Sequence, residues 1–492
     1  MDIPELGIGI VYFPGFAPII ESNADIIDVV EIEPQTFWIK SDSALDSFVF
    51  NNREMTYLSS LDVPLTFHGV GYPIGGTIPG DTTHVSSLKR MIAQLNPVWI
   101  SEHLSFNSIW IDNQVYNTNF LLPPLQTEEG LKVAVENVKA YANHFDLPFL
   151  FETGVNYLRP NSFEFQDGWF VDQLARRSNS YILLDIHNIL ANAINGRQSL
   201  ESFLRQVDPE RVIQIHLAGG FSYEGYYLDA HSGVSSEELF TVFEKIVKTL
   251  PNLKAVTFEC LPDYLSYMDS QDFTRQLQRM KSIWEKKGQR VKRRPFSVEK
   301  PRPTYGESSD SPTVKEWENT LGRMVVGLET DEEQLLSRML SRDKGIEIIK
   351  AIIQKFRRSQ IVGAMRLTSR YILLRFGLDY FDELMRVFWA KNVPSLFALD
   401  NGKKFAEFIL ANREYTKGDL VFYDVVQYEY SSILTTVDNL PRTVEVSFDP
   451  HELVRSLSDN TLPEITEGQT YIVTIEPDLQ PDGNQFQSVF HS

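Results

Sequence analysis

The sequence is poor in cysteine, in positive charge and in long apolar runs, and each shortage excludes a class of protein. Cys260 is the only cysteine among 492 residues, so a disulfide within the chain is impossible and a metal site must use nitrogen and oxygen ligands. Acidic residues outnumber basic ones by 66 to 46, and the net charge of −20 argues against a nucleic-acid partner. No stretch approaches the roughly 20 apolar residues of a membrane span. We therefore expect a cytoplasmic protein without a membrane partner.

Two common catalytic motifs are also missing. The chain has no Gly-x-Ser-x-Gly, which argues against a serine hydrolase of the Ser-His-Asp type. Its first apolar run, GIGIVYFPG, lacks the Gly-x-Gly-x-x-Gly spacing of a dinucleotide-binding fold. An open doubly wound sheet is therefore only the second choice for the fold.

The first 285 residues alternate short apolar runs with longer helical patterns, of which EEGLKVAVENVKAYANHF is one. Several of the short runs are apolar without alternation, as expected of parallel strands covered on both faces. This size and rhythm predict an α/β fold, a (β/α)8 TIM barrel over residues 1–285. The predicted strands are residues 7–12, 29–33, 64–68, 98–103, 148–152, 181–185, 212–216 and 255–259.

The composition changes after the predicted barrel. Residues 286–314 are rich in proline, serine and charge, which predicts an exposed linker. Residues 315–480 then combine helical patterns, with Phe381, Leu384, Met385 and Phe388 on one face, and two late strands, TVEVSF and TYIVTI. We expect a smaller α+β C-terminal domain there, followed by a loose tail over 481–492.

Polar side chains recur at the carboxyl ends of six consecutive predicted strands. Such ends meet at one mouth of a barrel, where active sites are built. Five of the nine histidines lie there. The strand-end residues are His68, Glu102, His103, Glu152, Asp185, His187, Asn188, His216 and Glu259, and the loop after strand seven adds Asp229 and His231.

This combination of residues predicts a metal cluster. The carboxylates of Glu152, Asp185, Asp229 and Glu259 would repel one another unless cations compensate. Together with four or five imidazoles they exceed the roughly six ligands that one metal ion takes. Two or three Fe, Mn or Zn ions, bridged by carboxylates, would satisfy the count.

The remaining candidates are weaker. Glu102 is expected to point away from the mouth, because neighbouring residues of a strand face opposite sides, and Cys260 is expected to be a buried inert thiol for the same reason. Glu33 also ends a strand and is a candidate pocket residue. Three loop tyrosines could wall the pocket or only pack the loop: Tyr223, Tyr226 and Tyr227.

At this point the sequence resembles a known family. FHGVG (67–71), SEHLSFN (101–107), LLDIHN (183–188), IHLAGG (215–220) and LDAHS (228–232) look like signature blocks of the multinuclear non-heme iron-dependent oxidative enzymes. That xylose-isomerase-like barrel family includes the enzyme that makes the oxazolone and thioamide groups of methanobactin. The resemblance implies two or three iron ions, O2 as co-substrate, and a ribosomally made precursor peptide as substrate.

By this resemblance eight residues carry over as iron ligands, and they are those that the strand ends indicate: His68, His103, Glu152, Asp185, His216, Asp229, His231 and Glu259. His187 or Asn188 is a further candidate. The chain departs from many members at His187, where they have Asn, and at Thr153, where they have Asn after the strand-five glutamate. These departures concern the substrate pocket and leave the ligand set intact.

The C-terminal domain resembles the partner protein that helps many of these enzymes to recruit the leader peptide of the precursor. The segment from Phe376 to Tyr415 and the later DLVFYDVVQYEY carry this resemblance. It implies a fusion of enzyme and partner, so that a separate partner subunit is not needed, and an exposed strand edge could hold the leader.

The predicted function is oxidation of a precursor-peptide side chain, cysteine first and aspartate or another residue second. Three alternatives stay open: a divalent-metal isomerase, a zinc endonuclease-like hydrolase, which the net charge of −20 disfavours, and a peptide-binding scaffold with structural metals.

Overall fold

A computed structural model of the chain describes residues 3–41, 47–287, 311–331, 333–466 and 468–477. Most of the predicted linker (286–314) and all of the predicted tail (481–492) lie outside the described residues. Within the described part of the chain, no helix is long and apolar enough to cross a membrane.

Eight parallel strands close into a barrel, which confirms the predicted TIM barrel. In chain order the strands are β1 Gly7–Tyr12, β2 Val29–Ile32, β3 Leu65–Gly69, β4 Ile100–His103, β5 Phe149–Glu152, β6 Tyr181–Asp185, β7 Val212–Ala218 and β8 Ala255–Glu259. All eight predicted strands form, with ends within two residues of the predicted ones. Around the barrel their order is β1-β8-β7-β6-β5-β4-β3-β2, with β1 paired to both β8 and β2.

Helices cover the outside of the barrel and follow the predicted rhythm. Most begin at a side chain that accepts a hydrogen bond from the first turn, as Thr127 and Ser236 do. They are Ala17–Ser22, Asn52–Ser60, Thr82–Leu95, Glu128–Ala142, Asp167–Ser178, Ile186–Ile194, Leu200–Gln206, Glu237–Ile246 and Ser270–Trp284, with 3-10 turns at Pro34–Phe37 and Pro262–Tyr267.

The barrel interior changes from apolar to polar along the strands. Leu150 and Leu183 belong to an apolar layer near the amino ends, together with Trp99. Since alternate residues of a strand face the same side, the same strands present Glu152 and Asp185 two residues later. The strand period therefore delivers polar side chains to the carboxyl-end mouth above a packed apolar base.

The compact units of the structure differ from the predicted domains in two places. The described chain divides into a barrel unit, residues 1–37 and 54–351, and a C-terminal unit, residues 38–53 and 352–492. The predicted C-terminal domain begins at 315, whereas the helices Val314–Val325 and Leu335–Leu340 belong to the barrel unit. Residues 38–53, predicted as barrel, group with the C-terminal unit: the ring of Phe48 lies 4.9 Å from that of Phe397, and Lys40 lies 3.6 Å from Asp400.

The C-terminal unit combines helices with a two-stranded antiparallel sheet. The predicted helical face is confirmed, since Phe381, Leu384, Met385 and Phe388 are buried. Strands Arg442–Val446 and Tyr471–Ile475 pair in the register Val444 to Val473, and residues 38–40 and 48–50 form a second antiparallel pair. The helices are Lys344–Ala364, which crosses the unit boundary, Arg366–Phe376, Leu378–Lys391, Ala398–Ala411, Leu420–Asp438 and Pro450–Ser458, with a 3-10 turn at Arg413–Thr416.

Candidate metal centre

All eight predicted ligands lie at the carboxyl-end mouth of the barrel, in two adjoining groups. We call the first the imidazole-rich cluster and the second the carboxylate-rich cluster. The imidazole-rich cluster consists of His68, His103, Glu152 and His216, and the carboxylate-rich cluster consists of Asp185, Asp229, His231 and Glu259.

Glu152 is the centre of the imidazole-rich cluster. Its Oε2 atom lies 3.0 Å from His68 Nε2 and 2.7 Å from His103 Nδ1. The two histidines also face each other, with their Nε2 atoms 3.1 Å apart. Ring nitrogens this close need a shared proton or cation between them. The geometry is that of donors converging on one point.

His231 is the centre of the carboxylate-rich cluster. Its Nε2 atom lies 2.8 Å from Asp229 Oδ1, and its Nδ1 atom lies 2.9 Å from Glu259 Oε1. Asp185 completes the group. Asp185, His231 and Glu259 each offer one donor atom, and these three atoms lie within 4.8 Å of one another.

His216 joins the two clusters. Its Nδ1 atom lies 3.4 Å from Glu259 Oε2 and 3.8 Å from Glu152 Oε1. His68, Glu152 and His216 also offer donor atoms within 4.8 Å of one another. Two triads of metal-ligating residues are therefore contiguous, and the arrangement suits two neighbouring ions.

Buried polar atoms that make no hydrogen bond of acceptable geometry accumulate at this mouth, although some of them lie close to another ligand atom. Burying such an atom unpaired costs about 1–3 kcal/mol, so native structures rarely tolerate several in one place. Among the described residues, those at the mouth are Glu152 Oε2, Asp185 Oδ2, His187 Nε2, Asn188 Oδ1, His216 Nδ1, Asp229 Oδ1 and His231 Nε2. The set fits metal ions, which would satisfy all of these atoms at once.

The charges at the mouth lead to the same conclusion. Burial lowers the pKa of His103, but the Glu152 carboxylate outweighs this effect and raises that pKa to about 9. Burial is likewise outweighed by carboxylates at His216 and His231, whose pKa values lie well above the ordinary one. Burial, with the nearby Glu152 and Asp229, raises the pKa of Asp185 well above its usual range. Without metal, protons balance the carboxylates, and cations would replace them.

Glu31 is the site residue that the sequence reasoning missed. It is fully buried below the clusters, and its Oε1 atom lies 2.5 Å from His216 Nε2. Gln214 Nε2 and the Thr66 and Thr257 hydroxyls donate to the same carboxylate, at 2.5, 3.2 and 3.2 Å. Held in this way, His216 turns its Nδ1 atom toward the clusters, the usual task of a carboxylate behind a metal-bound histidine.

Asp185 and Asn188 are positioned by the start of a helix. Asp185 Oδ1 accepts the backbone N–H of Asn188 at 2.8 Å as the N-cap of helix Ile186–Ile194, which leaves Oδ2 for the centre. The Asn188 side chain donates to Glu152 Oε1 at 3.3 Å. Thr153 accepts the backbone N–H of Asp185 through its hydroxyl at 3.1 Å.

His187 faces the carboxylate-rich cluster. Its Nε2 atom lies 3.5 Å from Asp229 Oδ1, and burial lowers its pKa, so the ring is the neutral form that a metal binds. Gly220 permits this approach, because a Cβ atom there would lie 2.9 Å from His187 Nε2. His187 thus remains a candidate for a further ligand.

The loop from β7 to His231 is a short hairpin, Phe221–Tyr223 with Tyr226–Leu228. Strand β7 runs to Ala218, two residues past the predicted end at His216. Gly219 then lets the returning chain pass close, since a Cβ atom there would lie 2.2 Å from the Ser232 carbonyl oxygen. His231 has a φ of 45°, a left-handed conformation that few non-glycine residues adopt and that occurs often at constrained sites.

The three loop tyrosines have different surroundings. Tyr226 is buried, with its ring 6.4 Å from that of Tyr157, and Tyr227 lies 5.5 Å from the His187 ring. Tyr223 is partly exposed and pairs with Tyr226 in the hairpin. Tyr227 is therefore the one that borders the clusters through His187.

Three other sequence candidates are placed clearly. Glu33 is partly exposed at the mouth, where burial and the Glu259 charge raise the pKa of its carboxyl to about 8. Glu102 accepts the backbone N–H groups of Tyr72 and His103, at 3.2 and 3.0 Å, and its carboxylate belongs to neither cluster. The Cys260 thiol is buried, 3.6 Å from Met268 Sδ, and burial raises its pKa.

Comparison with known proteins identifies the family. A family model described as "RiPP precursor modification enzyme MbnB/TglH/ChrH" matches residues 7–280, which is more than half of the chain. The chain belongs to this family. RiPPs are ribosomally synthesised and post-translationally modified peptides. The resemblance noted from the signature blocks is thus confirmed at the level of the family.

Two shorter bacterial proteins are also similar to this chain. A UPF0276 protein of Psychromonas ingrahamii is 30% identical over 190 residues, 38% of this chain and 66% of that protein. A UPF0276 protein of Chromobacterium violaceum is 27% identical over 225 residues, 45% of this chain and 79% of that protein.

Solved structures with remote similarity include an L-ribulose 3-epimerase, with a TM-score of 0.38 and 13% identity over 58% of this chain and 96% of the other. A xylose isomerase-like TIM barrel protein from Mycobacterium smegmatis, in complex with magnesium, has a TM-score of 0.34 and 10% identity over 48% and 80%. The assignment of the fold rests on the closed barrel itself.

Proposed function

We propose that this chain is an O2-dependent multinuclear non-heme iron enzyme that oxidises a side chain of a precursor peptide, cysteine before aspartate or another residue. The observation that carries the proposal is the contiguity of the two clusters through His216, with unpaired donor atoms in both. Membership of the RiPP precursor modification family supports a peptide as the substrate. Imidazole and carboxylate donors suit iron, and no thiolate is among them.

His68, His103, Glu152 and His216 would hold one ion, and Asp185, Asp229, His231 and Glu259 would hold a second, with His187 available for a third. Bound there, two or three iron ions would supply the one-electron redox chemistry that oxidation of a side chain by O2 requires. The protein's share is to fix these donors in space. Glu31 orients His216, and Asn188 orients Glu152.

Glu33 and Tyr227 border the centre on the substrate side. The Glu33 carboxyl, with its pKa near 8, can accept or release a proton close to neutral pH. Tyr227 restricts access near His187, and Tyr223 and Tyr226 belong to the same hairpin. We assign all four to the substrate pocket.

The C-terminal unit is proposed to recruit the leader of the precursor peptide. Among the described residues, strand Tyr471–Ile475 pairs only with Arg442–Val446, so one edge of each strand is unpaired. Ile472 is 78% exposed on this sheet, a contact for an apolar leader side chain. A unit of the same chain would make a separate partner subunit unnecessary. We also propose that the protein is cytoplasmic.

The test is to co-express the full chain with the short peptide encoded beside its gene and to weigh that peptide by mass spectrometry. We expect a mass change that requires iron and O2. An unchanged peptide with an iron-loaded protein would contradict the proposed substrate. Full activity with zinc alone under strict exclusion of O2 would contradict the oxidase.

A further inference from the structure

The family model ends at residue 280, yet a later part of the chain packs on the loops around the metal centre. This part consists of Thr313–Val325 and Leu335–Gly345, which we call the strap. It belongs to the barrel unit and contacts, in turn, the loops that follow β3, β4 and β5.

The first half of the strap is anchored by buried side chains. Trp317 is fully buried and donates its indole N–H to the Pro123 carbonyl at 3.0 Å. The Glu318 carboxylate accepts the Thr77 backbone N–H at 2.7 Å and also its hydroxyl. These are specific and desolvated contacts, which a passing linker would not make.

The second half of the strap ends on the loop after β5. Asp343 Oδ2 accepts the Arg159 backbone N–H at 2.8 Å, while Oδ1 accepts the Gly345 N–H at 2.8 Å. Gly345 then lies against the Tyr157 backbone, so closely that a Cβ atom at Gly345 would be 2.3 Å from the Tyr157 carbonyl oxygen. Only glycine fits there without a shift of the Tyr157 backbone.

Tyr157 leads directly to the carboxylate-rich cluster. Its side chain is 3% exposed, and its hydroxyl oxygen accepts the backbone N–H of Asp229 at 3.1 Å. Its ring packs edge-on against Tyr226, three residues before Asp229. The ring and the hydroxyl of Tyr157 therefore fix the backbone from which the Asp229 carboxylate projects.

We propose that the strap positions the carboxylate-rich cluster, with Gly345 seating Tyr157 and Tyr157 seating Asp229. Tyr157 is a positioning residue, since it acts through Asp229. The inference deepens the proposed function only in assuming that Asp229 binds a metal. It assigns a role at the metal centre to a segment beyond the family match.

The main variant is Gly345→Ala, with Gly363→Ala as its matched control. Both glycines lie in helix Lys344–Ala364, but a Cβ atom at Gly363 meets nothing within 4 Å. A second variant, Tyr157→Phe, removes only the hydroxyl and keeps the ring. All are made in the full chain.

Two measurements need no catalytic activity. The first is hydrogen exchange of the peptide that contains Asp229 in the metal-free protein. We expect at least about tenfold faster exchange there in G345A and Y157F, because the N–H loses its acceptor or its rigid support. The second is titration with Mn²⁺ or Fe²⁺ under anaerobic conditions. We expect the ion of the carboxylate-rich cluster to bind about 10- to 100-fold less tightly in both variants, with the ion of the imidazole-rich cluster unaffected.

The control separates positioning from general stability. G363A should match the original chain in exchange at Asp229 and in metal titration. Unchanged exchange and unchanged metal titration in Y157F would overturn the proposal, and this holds even if G345A fails to fold. Such a result would leave the oxidase proposal untouched, whereas a peptide that is never oxidised would leave the exchange and titration results valid.

Discussion

The two clusters at the barrel mouth differ in how their ligands are supported. Every ligand of the imidazole-rich cluster lies on a barrel strand, and Glu31 and Asn188 hold two of them by side-chain contacts. In the carboxylate-rich cluster, Asp229 and His231 come from a loop, and His231 has a left-handed backbone. The hairpin, Tyr157 and the strap provide the support that a strand provides elsewhere.

The difference separates a rigid half of the centre from an adjustable half. Strand ligands are fixed by the pairing of the barrel, whereas loop ligands depend on contacts that can be loosened one at a time. The backbone that carries Asp229 and His231 could therefore shift while the donors on the strands stay in place.

The largest effect is expected from the ligand carboxylates. Glu152→Gln should weaken the ion of the imidazole-rich cluster by more than about 100-fold, since even residues behind a ligand cost 10- to 100-fold. Asp229→Asn should weaken only the other ion. Isothermal titration of the metal-free protein measures both, and Glu102→Gln, on the strand that carries His103 but outside the clusters, is the control. Loss of both ions in each variant would contradict two separable sites.

The next effect concerns Glu31. Glu31→Gln keeps the shape but removes the charge behind His216, which should weaken metal binding about 10- to 100-fold. Competition with a chromophoric chelator measures the affinity. Glu54→Gln, another buried carboxylate that accepts a tyrosine hydroxyl at 2.6 Å, should leave it unchanged. Equal affinity in E31Q and the original chain would show that Glu31 only fills the barrel.

The sequence pattern predicts most of the ligands but not Glu31. The period of two along each strand was enough to find His68, Glu152, Asp185 and Glu259 at one mouth, because parallel strands end together. The same period places Glu31 inside the barrel, but nothing in VVEIE distinguishes a residue below the clusters from one at the mouth. The sequence therefore indicates Glu33, at the end of the strand, and does not single out Glu31.

The unit to which the helix Val314–Val325 belongs could not be predicted, for a different reason. Proline and charge in residues 286–314 correctly indicate a change of composition, but composition does not say onto which unit the next helix packs. Trp317 and Glu318 find their partners in Pro123 and Thr77, about two hundred residues earlier. Such distant pairs leave no local pattern in one sequence.

A third, smaller effect is the pH dependence of the metal-free protein. The pKa of His103 is raised from 6.5 to about 9 on folding, so its stabilisation is complete below pH 6.5 and is lost as the pH rises through 9. The carboxyl of Glu33, raised to about 8, acts in the same direction up to that pH. Since the native state binds more protons in this range, the free energy of unfolding should fall between pH 6.5 and 9, by up to about 3 kcal/mol for His103.

Denaturant unfolding at several pH values checks this expectation. With metal bound, the fall should vanish or reverse, because metal binding needs deprotonated ligands and strengthens as the pH rises. A metal-free protein whose stability rises over this range would contradict the charge balance proposed for the mouth.

The smallest effect is expected at the base of the loop. Asn195 exchanges two hydrogen bonds with the Tyr227 backbone, at 2.9 and 2.8 Å. Asn195→Ala should weaken the binding of only the ion in the carboxylate-rich cluster. The expected loss of affinity is about 3- to 10-fold, which corresponds to the net free energy of one hydrogen bond. Asn143, which also follows the last turn of a helix, provides the control in Asn143→Ala. An equal loss at both clusters would mean that the two halves are not supported separately.

The central claim is that both clusters form one multinuclear centre joined at His216. The most direct measurement is anaerobic loading of the full chain with ⁵⁷Fe²⁺, followed by iron counting and Mössbauer spectroscopy after partial oxidation. The account predicts at least two iron ions per chain and magnetic coupling between them. A single iron ion, or two ions without coupling, would contradict it.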